Sequence, residues 1–217
     1  MNFRIVPYKC FILIKNKYMV NLLLSRLKKY ASLKEEEAAY LVEHLVIKHY
    51  EKGEVIFSEG NIARSIYFVL EGCARLFYNV DGIEKTAFFY TEGDFICAGE
   101  SYNLEIPAVE NYQAIEDSIV MHFDKRMNEK LLADFPVFQN IALIATENEL
   151  ITCQKMLASF ITKSPTQRYL KLLETNGALF LRVPQQYIAS YLGVSPETLS
   201  RIKKRIAEKR LLDERQE

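Results

Sequence analysis

The stretch Val183–Lys209, VPQQYIASYLGVSPETLSRIKKRIAEK, leaves few folds open to the chain that carries it. Ile188, Tyr191 and Leu192 recur at helical spacing and form one apolar face. Pro184 fits a first helical turn, where its missing N–H costs nothing, and Ala189 is small where a second helix crosses closely. Gly193 breaks the helix, because glycine takes the left-handed backbone of a tight bend without a Cβ penalty. Ser195 is then a good N-cap, with Pro196 at the first helical position behind it. In the second helix Leu199, Ile202 and Ile206 face inward, while Glu197, Ser200, Arg201, Lys203, Lys204 and Arg205 share the other side. This is the pattern of a helix-turn-helix, with the second helix suited to the major groove of duplex DNA. An ordinary helical hairpin with a solvated second helix requires no such joint pattern of small residue, glycine bend, cap and outward cations.

The segment resembles the helix-turn-helix of the Crp/Fnr family of transcription regulators. In that family the recognition helix begins Ser-x-Glu-Thr-x-Ser/Gly-Arg, and Ser195, Glu197, Thr198, Ser200 and Arg201 stand in that register. The resemblance extends over nearly the whole chain.

Net charge is uninformative until divided, since 28 basic residues balance 28 acidic ones. Residues 160–217 carry 11 Lys/Arg against 6 Asp/Glu, a net of +5, which leaves −5 on the remainder. A basic C-terminal third on an acidic body fits one nucleic-acid module joined to a module that does not bind it. Cysteines at 10, 73, 97 and 153 lack metal spacing and read as reduced core thiols of a cytosolic protein. The apolar piece Cys10–Ile14 is too short to span a bilayer and lacks a small-residue cleavage site, and Met19 is an alternative start.

Helices are expected over Val20–Tyr30 and Glu35–His49. From Tyr50 to Phe123 the runs become short, β-branched and aromatic. Val55–Phe57, Ser65–Leu70, Ala74–Tyr78, Lys85–Tyr90, Tyr112–Ile115 and Ile119–Phe123 read as strands, with Asp81-Gly82 a strong hairpin signal. Evenly spaced strands with glycine turns argue for a double-sheet jelly roll or small barrel. The stretches KGEVIFSEG, IYFVLEGCARLFY and EGDF resemble successive strand-turn units of the Crp/Fnr sensor domain.

From Phe135 to Ile161 the helical period returns, with Val137, Ile141, Ile144, Ile151 and Ala158 in one stripe and Leu143, Leu150 and Leu157 beside it. The stripe suits packing on the β domain; the resemblance implies a second role, pairing with its own copy in a two-fold dimer. Asn148, between Ile144 and Ile151, is a candidate for setting register across that seam. Thr162–Pro165 marks a hinge, a helix follows over Thr166–Thr175, and Leu179–Val183 reads as a short strand. The expected architecture is α+β: N-terminal helices and a jelly-roll sensor domain over 1–134, a dimerisation helix over 135–162, and a winged-helix-like helix-turn-helix domain over 163–217. Many family members carry a second β-hairpin after the recognition helix. Only Arg210–Glu217 remain here, without a glycine for another turn, so this wing is expected to be missing.

Phosphate contacts supply affinity and base edges supply discrimination. Gln186, Ser195, Thr198 and Lys204 are the candidates for the first, three of them near helix N-termini. Glu197, Ser200 and Arg201 are the candidates for the second. Arg201 can bridge guanine O6 and N7, and Glu197 can accept from cytosine N4. A carboxylate among phosphates is otherwise repelled. The Glu-x-x-Ser-Arg spacing resembles the Fnr branch, and Pro196 stands where the cyclic-AMP receptor has arginine. The resemblance therefore implies an inverted repeat with TTGA-type half-sites, their centres about 34 Å apart. It also implies double-stranded DNA, a second copy of the chain and RNA polymerase as partners, a cytoplasmic location, and no cofactor or membrane.

The sensor's ligand is less legible. Cyclic-nucleotide members of the family hold phosphate with Gly-Glu and an arginine roughly ten residues on. This chain has Gly99-Glu100, followed by SYNLEIPAVENYQAIEDS, which contains neither Arg nor Lys. Glu105 and Glu110 would bring negative charge to an anion, which is costly in a partly buried pocket. Gly99, Glu100, Tyr102 and Tyr112 remain the candidate effector pocket, with Tyr90 and Phe95 as further aromatic lining or as core. An iron–sulfur cluster needs more N-terminal cysteines than Cys10. His44 and His49, expected five apart on one helix, and His122 on a strand suit surface or partly packed positions better than haem ligation. The alternatives are a cyclic-nucleotide-dependent regulator and a cupin-like jelly-roll enzyme. The second needs clustered metal ligands that three separated histidines do not supply, so no enzymatic activity is expected. Calorimetric titration with cyclic AMP should give no binding in the micromolar range; a micromolar isotherm would show that the missing arginine is not decisive.

Overall fold

The computed structural model describes residues 8–44 and 46–213. Helix α1 (Tyr8–Leu27) and α2 (Glu35–His44) lead into β1 (Val46–Tyr50) and β2 (Val55–Phe57). Then come β3 (Ser65–Glu71), β4 (Ala74–Val80), β5 (Ile83–Tyr90), β6 (Phe95–Ile96), α3 (Gly99–Leu104), β7 (Asn111–Ala114) and β8 (Ser118–Asp124). The chain continues as α4 (Lys125–Asp134), α5 (Pro136–Thr162), α6 (Pro165–Asn176), α7 (Leu179–Arg182), α8 (Gln185–Tyr191) and α9 (Pro196–Asp213).

Two antiparallel four-stranded sheets, ordered β1-β8-β3-β6 and β2-β7-β4-β5, make the jelly roll. Alternation along β3 explains its unbroken apolar run. Tyr67 and Val69 point into the core between the sheets, with Ile56, Leu76, Tyr112 and Val120. Phe68 and Leu70 point the other way, into a second core with α1, α2, α4 and the start of α5, where they meet Leu23, Leu41, Leu131 and Ile141. A strand covered on both faces needs no polar side. Strand β4 repeats the logic. Ala74 and Leu76 face the roll interior, while Cys73, just ahead of the strand, joins a third core built with the C-terminal helices. At Asp81-Gly82 both φ values are positive, 52° and 78°, as the β4–β5 hairpin signal requires.

Four expectations are corrected. The helix expected over Glu35–His49 ends at His44, and residues 46–50 pair with β8, Val46 opposite His122 and Tyr50 opposite Ser118. The β-branched pair Val46-Ile47 and an available sheet edge outweigh helical continuation. His49 is therefore on a strand, off the helix that carries His44. Leu179–Val183, expected as a strand, is the single helical turn α7. Among the described residues no strand lies beside it to pair with; Leu179 is instead buried in the third core. Cys153 is exposed on α5 rather than part of a core. Helix α1 begins at Tyr8, ahead of the expected Val20, and α9 runs on to Asp213 through the region where the wing is expected to be missing. The start of the chain before Tyr8, and residues 214–217 at the position of the wing, lie outside the described residues.

Gly72, at the β3–β4 turn, has φ +98°, and a Cβ there would lie 2.7 Å from the Ser118 Cα and 2.2 Å from its Oγ. Strained backbone and a collision with backbone atoms compound each other. Gly72→Ala should lose about 3 kcal/mol or more of stability in urea unfolding.

Candidate nucleic-acid interface

The bend between α8 and α9 is held by its own backbone: Gly193 N donates to Ser190 O at 2.9 Å and Val194 N to Ala189 O at 3.0 Å. Gly193 has φ +67°. Ser195 caps α9, its Oγ accepting from Thr198 N at 3.2 Å. Ile188, Ala189, Leu192, Leu199 and Ile202 are buried between the two helices and α6, with Tyr169 and Leu172. The apolar face read from the sequence thus anchors α9.

Opposite that anchor, Glu197, Ser200, Arg201 and Lys204 are exposed along α9. Their spacing of three and four residues keeps them on one side. Glu197 sits in the first turn, and the Ser195 hydroxyl, a backbone N–H and the Arg201 charge hold its carboxyl below the ordinary carboxylate range. It meets any partner ionised. Lys204 lies 3.9 Å from Glu208, both well exposed, a pairing too weak to remove it from a ligand. Thr198 is half-buried beneath the cap, and Gln186 is exposed at the start of α8. Two residues expected outward depart from that row. Arg205 Nη2 donates to Thr166 Oγ1 at 2.6 Å, back toward α6, and Lys203 is half-buried beside Tyr169 and Leu199.

The candidate effector residues are divided. Tyr102 and Tyr112 are buried in the inter-sheet core, where Tyr112 Oη donates to Cys97 O at 3.0 Å. Gly99 and Glu100 open α3, with Glu100 exposed. Glu105 is paired with Lys125 at 2.6 Å, outside that core. Tyr50, Tyr67 and Tyr90 fill further parts of the same interior. Tyr50 Oη and His122 Nε2 are 2.9 Å apart, and burial pushes the His122 imidazole down to about 4. Tyr90 Oη donates to Glu149 on α5 at 3.2 Å.

Sequence reasoning missed the residues that hold the helix-turn-helix against the roll. Arg75, on the outer face of β4 and 1% exposed, is stacked between Phe77 at 4.1 Å and Tyr187 of α8 at 3.7 Å. Its donors reach Gln113 Oε1, Thr86 Oγ1 and the Glu84 carboxylate. Thr86 N, on edge strand β5, donates to Ser190 Oγ at 2.8 Å, and Phe89 meets Tyr191 with ring centroids 5.3 Å apart. From α7, Arg182 bridges Glu92 and Glu116, its Nη2 2.7 Å from Glu92 Oε1. The available signal was alternation: with Ala74 and Leu76 inward, Arg75 and Phe77 fall on the outer face, where an aromatic ring favours cover.

Residues 47–135 match the Cyclic nucleotide-binding domain family, and residues 157–217 match the Crp-like helix-turn-helix domain family. Over 178 residues the chain is 29% identical to the Nitrogen fixation regulation protein FixK of Bradyrhizobium diazoefficiens, spanning 73% of this chain and 71% of that one. The structure of FixK2 from Bradyrhizobium japonicum aligns with a TM-score of 0.64 at 24% identity, over 76% of this chain and 85% of the other. That of the c-di-GMP responsive global regulator CLP of Xanthomonas campestris aligns with a TM-score of 0.68 at 15% identity, over 81% and 93%. At these identities both structures speak to the fold alone.

Burial raises the Glu92 carboxyl, but the hydrogen bonds from Arg182 and the backbone outweigh it and hold the group below its ordinary 4.5. A carboxyl depressed in the fold stabilises fully above that ordinary value, and the gain is lost as pH falls through the lowered value. Arg182→Ala should therefore cost roughly 1–2 kcal/mol at neutral pH, after screening of this partly exposed pair. In urea unfolding the gap from wild type should narrow as the pH drops below 4.5.

Proposed function

The chain belongs to the Crp/Fnr family of DNA-binding transcription regulators, and we propose that it reads an inverted-repeat DNA site as a homodimer. The observation that carries this reading is the outward row Glu197, Ser200, Arg201 and Lys204 on a capped helix whose opposite side is buried. Arg201 and Glu197 discriminate bases, Ser200 assists them, and Gln186, Ser195, Thr198 and Lys204 meet phosphates.

Helix α5 supports the dimer. Leu143, Leu150 and Leu157, seven residues apart, are 58%, 57% and 64% exposed, and Ile151 and Ile161 are exposed beside them. Such a ladder suits a helix pair. It differs from the stripe expected from sequence, because Ile141 is buried against the roll and Val137 and Ile144 are half-buried. The roll uses the first turns of that stripe, which leaves the leucines for a second copy. Two-fold pairing then presents two recognition helices to half-sites about one helical turn, or 34 Å, apart. Thr152 Oγ1 donates to the carbonyl of Asn148, which lies on this same stretch of helix as the candidate for fixing register.

The regulator works in the cytoplasm with RNA polymerase as a further partner, and it is not an enzyme. No helix among the described residues is long and apolar enough to cross a membrane. The effector of the roll is an unidentified small molecule or is absent altogether. The match of residues 47–135 favours a second reading, a cyclic-nucleotide-dependent regulator. Against it stand the absence of Arg and Lys between Lys85 and Lys125 and the tyrosines already filling the roll.

Selection from random DNA with the purified protein should return an inverted repeat with TTGA-type half-sites; recovery of no palindrome would reject the reading. On the selected site, Arg201→Ala should cost about 1–3 kcal/mol and relax one base position per half-site. Lys204→Ala should weaken all sequences alike and reduce the salt slope by about 1 for each phosphate it leaves unneutralised.

A further inference from the structure

Between the end of α5 and the start of α6 only Lys163 and Ser164 are non-helical. Lys163 is extended, with φ −120° and ψ 140°, and Ser164 with Gln167 forms a capping box that starts α6. This two-residue elbow connects the proposed dimer helix to the helix-turn-helix. The Arg168 side chain crosses it. Arg168, in the first turn of α6, donates from Nη1 to Lys163 O at 2.9 Å. Its Nε and Nη2 both donate to Leu192 O, at 3.2 and 2.8 Å. Its guanidinium lies 4.5 Å from the centroid of Phe160, on the last turn of α5.

Phe160 in turn abuts the bend of the helix-turn-helix. A Cβ on Gly193 would stand 2.9 Å from Phe160 Cε1. The aromatic ring is therefore held between the guanidinium and the bend. A planar fork with charge-assisted bonds fixes angles as well as distances.

We infer that Arg168 is a positioning residue, which locks the bend of the helix-turn-helix to the end of α5 and so sets the spacing between the two recognition helices of the dimer. This rests on the inverted-repeat reading above. Beyond Ile144 most of α5 is exposed, so the roll gives that half of the helix little support. Arg182 and Arg75 hold the helix-turn-helix to the roll; Arg168 holds it to α5. Any rotation at the elbow is mirrored in the second protomer, so both recognition helices shift. One base pair occupies about 3.4 Å of the duplex axis, so a small rotation changes the preferred half-site spacing. Arg168 lies on α6 with its donors on the Lys163 and Leu192 carbonyls, off the outward row of α9, so its loss should leave that row intact.

The test uses the full chain and a set of inverted repeats in which the selected half-sites are separated by spacers varied one base pair at a time. Wild type should favour one spacing over its neighbours by roughly tenfold or more, the scale of one charge-assisted hydrogen bond. Arg168→Ala should flatten that preference to within about twofold, while half-site base preference and dimer mass stay those of wild type. Arg168→Lys, which keeps the charge without the fork, should flatten it as well. A wild-type spacing profile in either variant would overturn the inference, as would loss of half-site preference in step with loss of thermal stability. Should Arg168→Ala fail to fold, Phe160→Leu decides in the same way, since it removes the stacking face and keeps an apolar side chain. If wild type binds single half-sites but prefers no spacing, the inference fails while DNA reading stands; if it selects no inverted repeat, both fail.

Discussion

A guanidinium removed from water must have its charge and its donors answered on the spot, or several kcal/mol are lost. Arg75 meets that demand with partners from two units. The roll contributes the carboxylate of Glu84, the amide oxygen of Gln113, the hydroxyl of Thr86 and the ring of Phe77, while α8 contributes the ring of Tyr187. The roll answers the donors and the charge, and α8 adds the second stacking face. The same contact solves a second problem, because β5 is the outer strand of its sheet and would otherwise present a bare edge. Ser190 takes the Thr86 N–H, and α8 lies along the edge. The acidic body and the basic C-terminal unit also meet through Arg182 on Glu92 and Glu116, so the opposite net charges are put to use at their junction.

Much of the roll was legible because its signals are local. Asp81-Gly82 dictates a hairpin whatever surrounds it, and the apolar runs beside it have strand composition. The failures are places where a distant partner decides. Residues 46–50 continue a helical pattern in sequence, and only the edge offered by β8, some seventy residues on, makes them a strand. Leu179–Arg182 has strand composition but is packed as one helical turn, with Leu179 in the core and Arg182 aimed at the roll. The short pairing of Phe95 and Ile96 with Phe68 and Tyr67 gave no periodic signal at all.

The recognition helix was readable for the same local reason. Its cap, its inward apolar residues and the outward placement of Glu197, Ser200, Arg201 and Lys204 follow from spacing alone. What spacing cannot tell is which outward cation finds a partner at home. Arg205 turns to Thr166 and Lys203 is half-buried, although both share the basic side in a helical projection. The sensor interior was the least legible part. Tyrosine suits a ligand pocket and a packed core equally well, and only the assembled sheets decide that Tyr102 and Tyr112 are core, with Tyr112 bonded to Cys97 O.

Gly193 serves two masters. Its backbone conformation makes the bend, and its missing side chain admits Phe160 from another helix. The DNA-reading unit is therefore not a free-standing cassette. A chimera that grafted a foreign bend and recognition helix after position 183 would have to carry a residue with no side chain at that point, or import its own elbow as well. The natural unit of exchange between such chains begins upstream, at the last turn of the long helix.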